Sequence, residues 1–408
     1  MEFVTLNEKE YTSFWEDHPL KAFLSAPEIG HLREKSGWRL EFVGVKENDE
    51  VIAATMLLSI KRRIGGYEYY SPRGFLLDYK NKELLHFFTK EIKQYIKNNG
   101  GYTLRIDPYL IYKQRDIDAD IVEGGEDNSD VVDDLLSLGF KKHDMDHTEQ
   151  AQWMFSLGLE NKDEETLLKE MNQHTRRVIR KTSNSGIVIR ELKYEELDEF
   201  RDMMNATGER KSFSVRDLSY YQDMYNLLHD KDEICYLVSE LDLDNYINKL
   251  NKDKDSKQKQ LDKVLSKEHT DKKVETIQKE IDSFDKKIQE ANDIKQRTGK
   301  SKIMMSGAMF INIQPEVIYL AGGNYREYLN FSSQYLIQWT MIKYGLEHHF
   351  KKYNFYGIKG NFKDNPENAG VYQFKRGFNG FVEELIGEYE LPISSGYYLN
   401  KLVSLIRR

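Results

Sequence analysis

The chain has 408 residues, a formal net charge of −8, 31% charged residues and one cysteine. This length fills two domain cores, and the acidic balance excludes a surface that coats nucleic acid, leaving only local basic patches for such a contact. The lone Cys235 excludes an internal disulfide or a cysteine metal cluster. No apolar run approaches the length that spans a bilayer, and Met1-Glu2-Phe3-Val4-Thr5 lacks a basic region followed by an apolar one, so a cytoplasmic protein is expected.

Helical patterns over Glu8–His18 and Ala26–Lys35 open the chain. Two β-rich runs follow, Arg39–Lys46 and Val51–Ser59, joined by the turn Glu47-Asn48-Asp49-Glu50. Tyr67–Asp78 reads as a third strand region interrupted at Pro72-Arg73-Gly74. An amphipathic helix, Lys82–Lys97, stops at Asn98-Asn99-Gly100-Gly101, and the strand Tyr102–Asp107 is ended by Pro108.

After Leu192 the same order returns. Helices at Tyr194–Thr207 and Leu218–Leu228 precede a strand at Ile234–Leu241, and Ile303–Ile313 is its hairpin partner. Val317–Gly323, Phe331–Phe350 and Tyr353–Gly357 then repeat third strand, long helix and strand. The repetition predicts a duplicated α/β unit. Between the hairpin strands lies a charged, glycine-free run. Val274, Ile277, Ile281, Phe284, Ile288 and Ala291 form a heptad seam, and Ile247, Leu250, Lys254, Lys257, Leu261 and Val264 keep the same spacing with two lysines in the middle. A turn at Lys267–Asp271 makes this an antiparallel coiled-coil arm, roughly 30 Å long. The expected organisation is a first unit over 1–150, a second over 151–243 and 299–408, and the arm over 244–298. Cys235 sits in a strand and is read as core, and the histidines have no ligand spacing, so no metal is expected.

Hairpin, third strand, helix, strand is the order of the GNAT acetyltransferase fold, here as two tandem copies. The pantetheine loop of that fold, [QR]xxGx[GA], is not matched: Arg62-Arg63-Ile64-Gly65-Gly66-Tyr67 fails at its last position and precedes a strand, not the helix. Five further motifs occur in order: Tyr70-Ser71-Pro72-Arg73-Gly74, Leu104-Arg105-Ile106-Asp107-Pro108-Tyr109, Ala321-Gly322-Gly323, Tyr353-Asn354-Phe355-Tyr356-Gly357 and Phe374-Lys375-Arg376-Gly377-Phe378. With the arm, they resemble the Fem family of tRNA-dependent peptidoglycan aminoacyltransferases. The resemblance implies transfer of glycine, alanine or serine from aminoacyl-tRNA to the peptide amine of a lipid-linked or nucleotide-linked muropeptide, building the interpeptide bridge. Aminoacyl-tRNA is then a co-substrate and no cofactor is implied, since the donor ester is already activated.

Such a reaction needs a path for the acceptor amine's proton and a positive group for the oxyanion. Lys375, read in a strand-like segment, matches the family position that contacts the reacting carbonyl, and Phe374 beside it is placed with the substrate-binding residues; Arg376 is an alternative phosphate ligand. Asp107 at a strand end is the candidate proton acceptor. Lys35 and Arg216 match the family's diphosphate-binding positions, while Tyr102 and Tyr220 match substrate-lining ones; a tyrosine of the family is replaced by Leu320. For tRNA phosphates the expected residues are Arg176, Arg177, Arg180 and Lys181, with a second basic cluster at Lys61-Arg62-Arg63. The amphipathic end Tyr398–Arg408 leaves two readings open, packing on the body or peripheral contact with the inner face of the membrane. A homodimer, or a heterodimer with related Fem proteins, is the other partner expected. The competing functions are an acyl-CoA-dependent GNAT-type transferase and a coiled-coil adaptor.

Overall fold

The computed structural model describes residues 1–143, 148–266, 271–360, 362 and 366–406. Residues 267–270 of the expected arm turn and Arg407-Arg408 lie outside the described residues.

β1 (Glu2–Leu6), which the sequence reading did not assign, is the edge of the first sheet. Asn7 then caps α1 (Glu8–Asp17): its side chain accepts the Glu10 N–H, and the Glu10 carboxylate accepts the Asn7 N–H, a reciprocal cap. α2 (Pro27–Lys35) starts on proline, which suits a first turn whose N–H has no helical acceptor. The hairpin of β2 (Arg39–Glu47) and β3 (Glu50–Lys61) turns through Asn48 and Asp49, with φ of 51° and 67°. Two successive positive φ values match the twist of the flanking strands. β4 (Tyr67–Ser71) stops short of the expected Asp78 because Arg73 turns the chain with φ of 52°. α3 (Lys82–Asn98) buries Leu84, Leu85, Phe88, Ile92 and Ile96 on one face. It gives way to β5 (Gly101–Ile106), parallel to β4.

β6 (Ile111–Gln114), α4 (Ser129–Ser137), β7 (Lys141–Lys142) and β8 (Trp153–Gly158) connect the two copies. α5 (Glu164–Glu170) and α6 (Gln173–Ser183) lead to β9 (Ile187–Glu191), α7 (Leu197–Lys211), α8 (Leu218–Leu228) and β10 (Ile234–Asp242). The arm is α9 (Leu243–Leu265) with α10 (Asp271–Thr298). After it come β11 (Lys302–Ile313), β12 (Glu316–Asn324), α11 (Gln334–Glu347) and β13 (Lys352–Gly357), the last parallel to β12 as β5 is to β4. α12 (Pro366–Arg376), β14 (Phe381–Leu385), β15 (Tyr389–Pro392) and α13 (Gly396–Ile406) end the described chain.

The sheet orders are β1-β2-β3-β4-β5-β15-β7 and β9-β10-β11-β12-β13-β8-β14-β6. Strand for strand the first six positions correspond, which is the tandem GNAT-like architecture. Strands also cross between the copies: β15, from the end of the chain, is the sixth strand of the first sheet, and β6, from before residue 150, is the far edge of the second, paired with β14. The sheets therefore do not divide at residue 150, and residues 389–392 belong to the first sheet. One apolar core joins both copies, with Tyr11, Phe42, Met56 and Tyr70 packed in the same cluster as Phe200, Tyr236, Met309 and Ile311.

Along the arm, Leu250, Leu261, Ile277 and Ile281 are buried. The two seam lysines do not leave a gap: Lys257 pairs with Glu280 at 2.5 Å, and Lys254 pairs with Asp285. At the root, Leu243, Ala291 and Ile294 pack with Leu241, Ile303, Met305 and Tyr328 of the body.

Candidate active site

α2 of the first copy and α8 of the second face each other across a cleft of about 580 Å³. α2 ends at Lys35, and its last turn brings Arg33 and Lys35 to one wall. The opposite wall starts where α7 ends at Ser212, whose φ of 56° closes the helix in the left-handed region. The following Phe213–Asp217 segment delivers Arg216, and α8 delivers Tyr220 and Asp223. Arg216 lies over the Tyr220 ring, 5.4 Å from its centre, so the aromatic face holds the guanidinium. Lys35 Nζ reaches Asp223 Oδ1 at 2.5 Å. This bridge joins the two copies across the cleft. Three cations and three tyrosines, Tyr220, Tyr221 and Tyr356, thus line one opening, and Leu320 lines it where a family tyrosine was expected.

The floor includes Tyr356, at the end of β13. Its φ of 63° is unusual for a tyrosine and turns the chain sharply before Gly357. The backbone is held by Asn354, whose side-chain oxygen accepts the Tyr356 N–H at 2.8 Å. Behind this turn lies Lys375, 4% exposed. Its Nζ donates to the Gly357 carbonyl at 2.7 Å and to the Tyr356 carbonyl at 3.1 Å. Burial, with the Lys211 charge nearby, pushes its ammonium down to about 7. Lys375 is in α12 and not in a strand, which corrects the sequence reading: the aromatic residues that suggested β structure pack from a helix, Phe374 on Tyr335 with ring centres 4.8 Å apart and Tyr372 on Phe155 at 6.0 Å.

Asp107 follows β5 and is 3% exposed. Its Oδ1 accepts the Arg73 N–H at 2.9 Å, and Oδ2 lies 3.5 Å from Arg73 Nη1. Burial pushes the carboxyl up to about 6 against the pull of Arg73. Arg73, also buried, donates to the Ala151 carbonyl at 3.1 Å and lies over the Tyr109 ring. It interacts with the Tyr356 phenol, tempering the rise in phenol pKa that burial causes. Asp107 therefore faces Arg73 and not the cleft, and Arg73 stands between it and Tyr356.

Of the expected substrate residues, Lys35, Arg216 and Tyr220 converge, while Tyr102 and Phe374 do not join them. Tyr102 is at the other end of β5, where its carbonyl accepts the Ile393 N–H at 3.0 Å. Phe374 belongs to the aromatic core beside Tyr335 and Phe378. Arg376 pairs with Asp118. Arg33, Arg73 and Tyr356 were not singled out from the sequence, although Arg73 and Tyr356 lie inside two of its motifs.

α6 buries Thr175, Val178, Ile179 and Thr182 and exposes Arg177, Arg180 and Lys181. Arg176 is half-buried and donates to the Leu168 and Lys169 carbonyls at the end of α5, both at 3.2 Å. The start of α6 meets the turn after α12, where the Asn172 N–H donates to the Gly377 carbonyl at 3.1 Å. Its end, with Lys181, shares a notch with Lys249, Lys286 and Lys287 of the arm. The exposed cations thus run from the element carrying Lys375 to the arm root. Among the described residues no cluster of His, Cys, Asp and Glu has the grouping of a metal site, and no helix is long and apolar enough to cross a membrane.

The FemAB family profile matches residues 6–404. Aminoacyltransferase FemA of Staphylococcus epidermidis is 35% identical over 411 residues, covering 98% of this chain and 97% of that protein. FemA of Staphylococcus aureus is 34% identical over 413 residues with the same coverage. The crystal structure of FemX superposes with a TM-score of 0.76 at 25% identity, over 99% of this chain and all of that one. A tandem GNAT protein from the clavulanic acid pathway, at 10% identity and a TM-score of 0.51, covers 96% of this chain and 98% of its own and shares the fold.

Proposed function

The chain belongs to the FemAB family and is an aminoacyltransferase, and on that premise we propose that it moves glycine, alanine or serine from aminoacyl-tRNA to the peptide amine of a peptidoglycan precursor. The convergence of Lys35, Arg216 and Tyr220 on one cleft floored by Tyr356, with Lys375 directly behind, carries this reading. Arg33, Lys35 and Arg216 suit the diphosphate of a nucleotide-linked or lipid-linked muropeptide: arginine offers two parallel donors and lysine a point charge. Tyr220 and Tyr356 offer aromatic faces to the rest of the acceptor.

In this mechanism the acceptor amine attacks the aminoacyl ester carbon, a tetrahedral oxyanion forms, and the tRNA ribose oxygen departs with a proton. Lys375 supplies the positive charge at the oxyanion. An ammonium lowered to about 7 is regained readily when a negative oxygen forms beside it, so the charge is stronger in the transition state than in the ground state. Asp107 acts through Arg73, which steadies Tyr356 and the two carbonyls that hold Lys375. The cations of α6 receive tRNA phosphates, with the acceptor end of the tRNA reaching toward α12.

The test is transfer from separately charged glycyl-, alanyl- and seryl-tRNA to lipid-linked and nucleotide-linked precursors, without ATP, CoA or added metal. The expected product is a precursor extended by one amide-linked residue. Activity with acyl-CoA alone would overturn the reading in favour of an ordinary GNAT-type transferase.

A further inference from the structure

The basic run Lys61-Arg62-Arg63 and the C-terminal helix α13 meet on one surface, at the end of the first sheet away from the cleft. Asn400 of α13 donates its side-chain N–H to the Ile64 carbonyl at 2.6 Å. A Cβ on Gly65 would sit 3.0 Å from the Gly396 carbonyl oxygen, so the loop backbone lies directly against the start of the helix. α13 buries Tyr397 and turns Tyr398, Leu399 and Leu402 outward, with exposures of 61%, 52% and 56%. At 100° per residue these three occupy a single arc of the helix.

Cations frame that arc. Lys141, on β7, lies 5.2 Å from the centre of the Tyr398 ring, Arg63 is exposed on the loop that α13 touches, and Lys61 is exposed at the end of β3 just before that loop. The nearby carboxylates are occupied: Glu68 by Arg62 at 2.6 Å, and Glu390 by Lys401 at 2.9 Å and His143 at 3.2 Å. A chain with a net charge of −8 has therefore gathered positive charge around an uncovered apolar strip. Phosphate chemistry alone explains the cations and leaves two exposed leucines without a use. An apolar protein partner explains the leucines and leaves the cations.

We propose that this surface seats the protein on an anionic phospholipid bilayer, with α13 lying in the plane of the interface. Eleven residues are too few to cross a membrane, and apolar burial together with basic attraction is the pair of weak signals that makes peripheral attachment stable. Tyrosine, apolar in its ring and polar at its tip, suits the headgroup level. This inference does not rest on the transfer chemistry.

The experiment is co-sedimentation of the full chain with vesicles of phosphatidylglycerol and phosphatidylethanolamine, and with vesicles of phosphatidylcholine. Binding to the anionic vesicles is expected, weakening as salt is raised, with little binding to the neutral ones. Leu399→Ser with Leu402→Ser should lower the vesicle partition coefficient about tenfold or more, and Lys61→Ser with Arg63→Ser should do so comparably. All four positions are exposed, so melting curves should match the parent, and transfer to a nucleotide-linked acceptor should be unchanged in the leucine variant. Equal binding to neutral vesicles, or none to anionic ones, overturns the proposal. So does a parent dimer that the leucine variant converts to a monomer, which makes the strip a contact between copies. Loss of tRNA affinity without loss of vesicle binding in the Lys61→Ser, Arg63→Ser variant assigns the cluster to nucleic acid and overturns it equally.

Discussion

Lys375 sits between two backbone carbonyls with a second cation, Lys211, behind it. Lys375→Met keeps most of the apolar stem and removes the charge. Turnover should fall about 10²-fold or more while precursor affinity changes little; full turnover with weakened affinity would make Lys375 a binding residue. The folded pKa of about 7 is below the ordinary 10.5, so between those values the unfolded chain binds more protons than the folded one. Stability then rises with pH across that window. Denaturant melts at pH 6 and 9 should show the parent gaining about 2–3 kcal/mol relative to Lys375→Met, from the linkage of roughly 1.4 kcal/mol per pH unit. Asp107→Asn leaves the Arg73 charge buried without its counterion and should cost about 3 kcal/mol. Adding Arg73→Met should recover part of that loss, a coupling that a double-mutant cycle reads directly. Lys35, Arg216 and Tyr220, each picked out by its match to a family position, lie together in one cleft. The role of Tyr356 was not legible, since no local pattern announces a tyrosine in the left-handed region. Arg73 was hidden for a related reason: its partner Asp107 is 34 positions away, and sequence spacing does not register that contact.

The arm was the most legible element because a heptad is a local signal, needing no knowledge of the rest of the fold. Its lysines were harder to place. Lys254 and Lys257 look like weak points in the seam until Asp285 and Glu280 arrive from the antiparallel partner; exposed pairs of this kind contribute less than about 1 kcal/mol each. The root behaves differently from the shaft. Ala291 and Ile294 belong to a cluster with Ile303 and Tyr328, so Ile294→Ala should cost the whole protein about 2–5 kcal/mol. Ile277→Ala should instead loosen only the outer arm. Replacing residues 251–287 by a short flexible turn spares the root, and calorimetry should find the body's unfolding temperature nearly unchanged. Replacing 244–294 removes the root and should lower it markedly. α12 was misread for the opposite reason to the arm. Val371, Tyr372 and Phe374 have strand propensity, but a helix also places Tyr372 on Phe155 and Phe374 on Tyr335, and that packing decides.

At the scale of the molecule, the duplicated order of strands was readable because each copy repeats the same local alternation. The crossing of β15 into the first sheet and of β6 into the second was not, because both are short and pair with partners far along the chain. Their consequence is measurable. Removing residues 386–408 strips β15 from β5 and exposes the edge of the first sheet, so the truncated chain should lose cooperative unfolding and aggregate. The intact protein should melt in one transition despite its two copies, given the core that Phe42 and Tyr70 share with Phe200 and Ile311. A chain made by doubling an ancestral unit ordinarily keeps the option of splitting again into free-standing genes. Here each half completes its sheet with a piece of the other's stretch of chain. Neither could depart with a whole fold, and the duplication became a one-way step: the cleft between the halves was thereafter inherited as a single object.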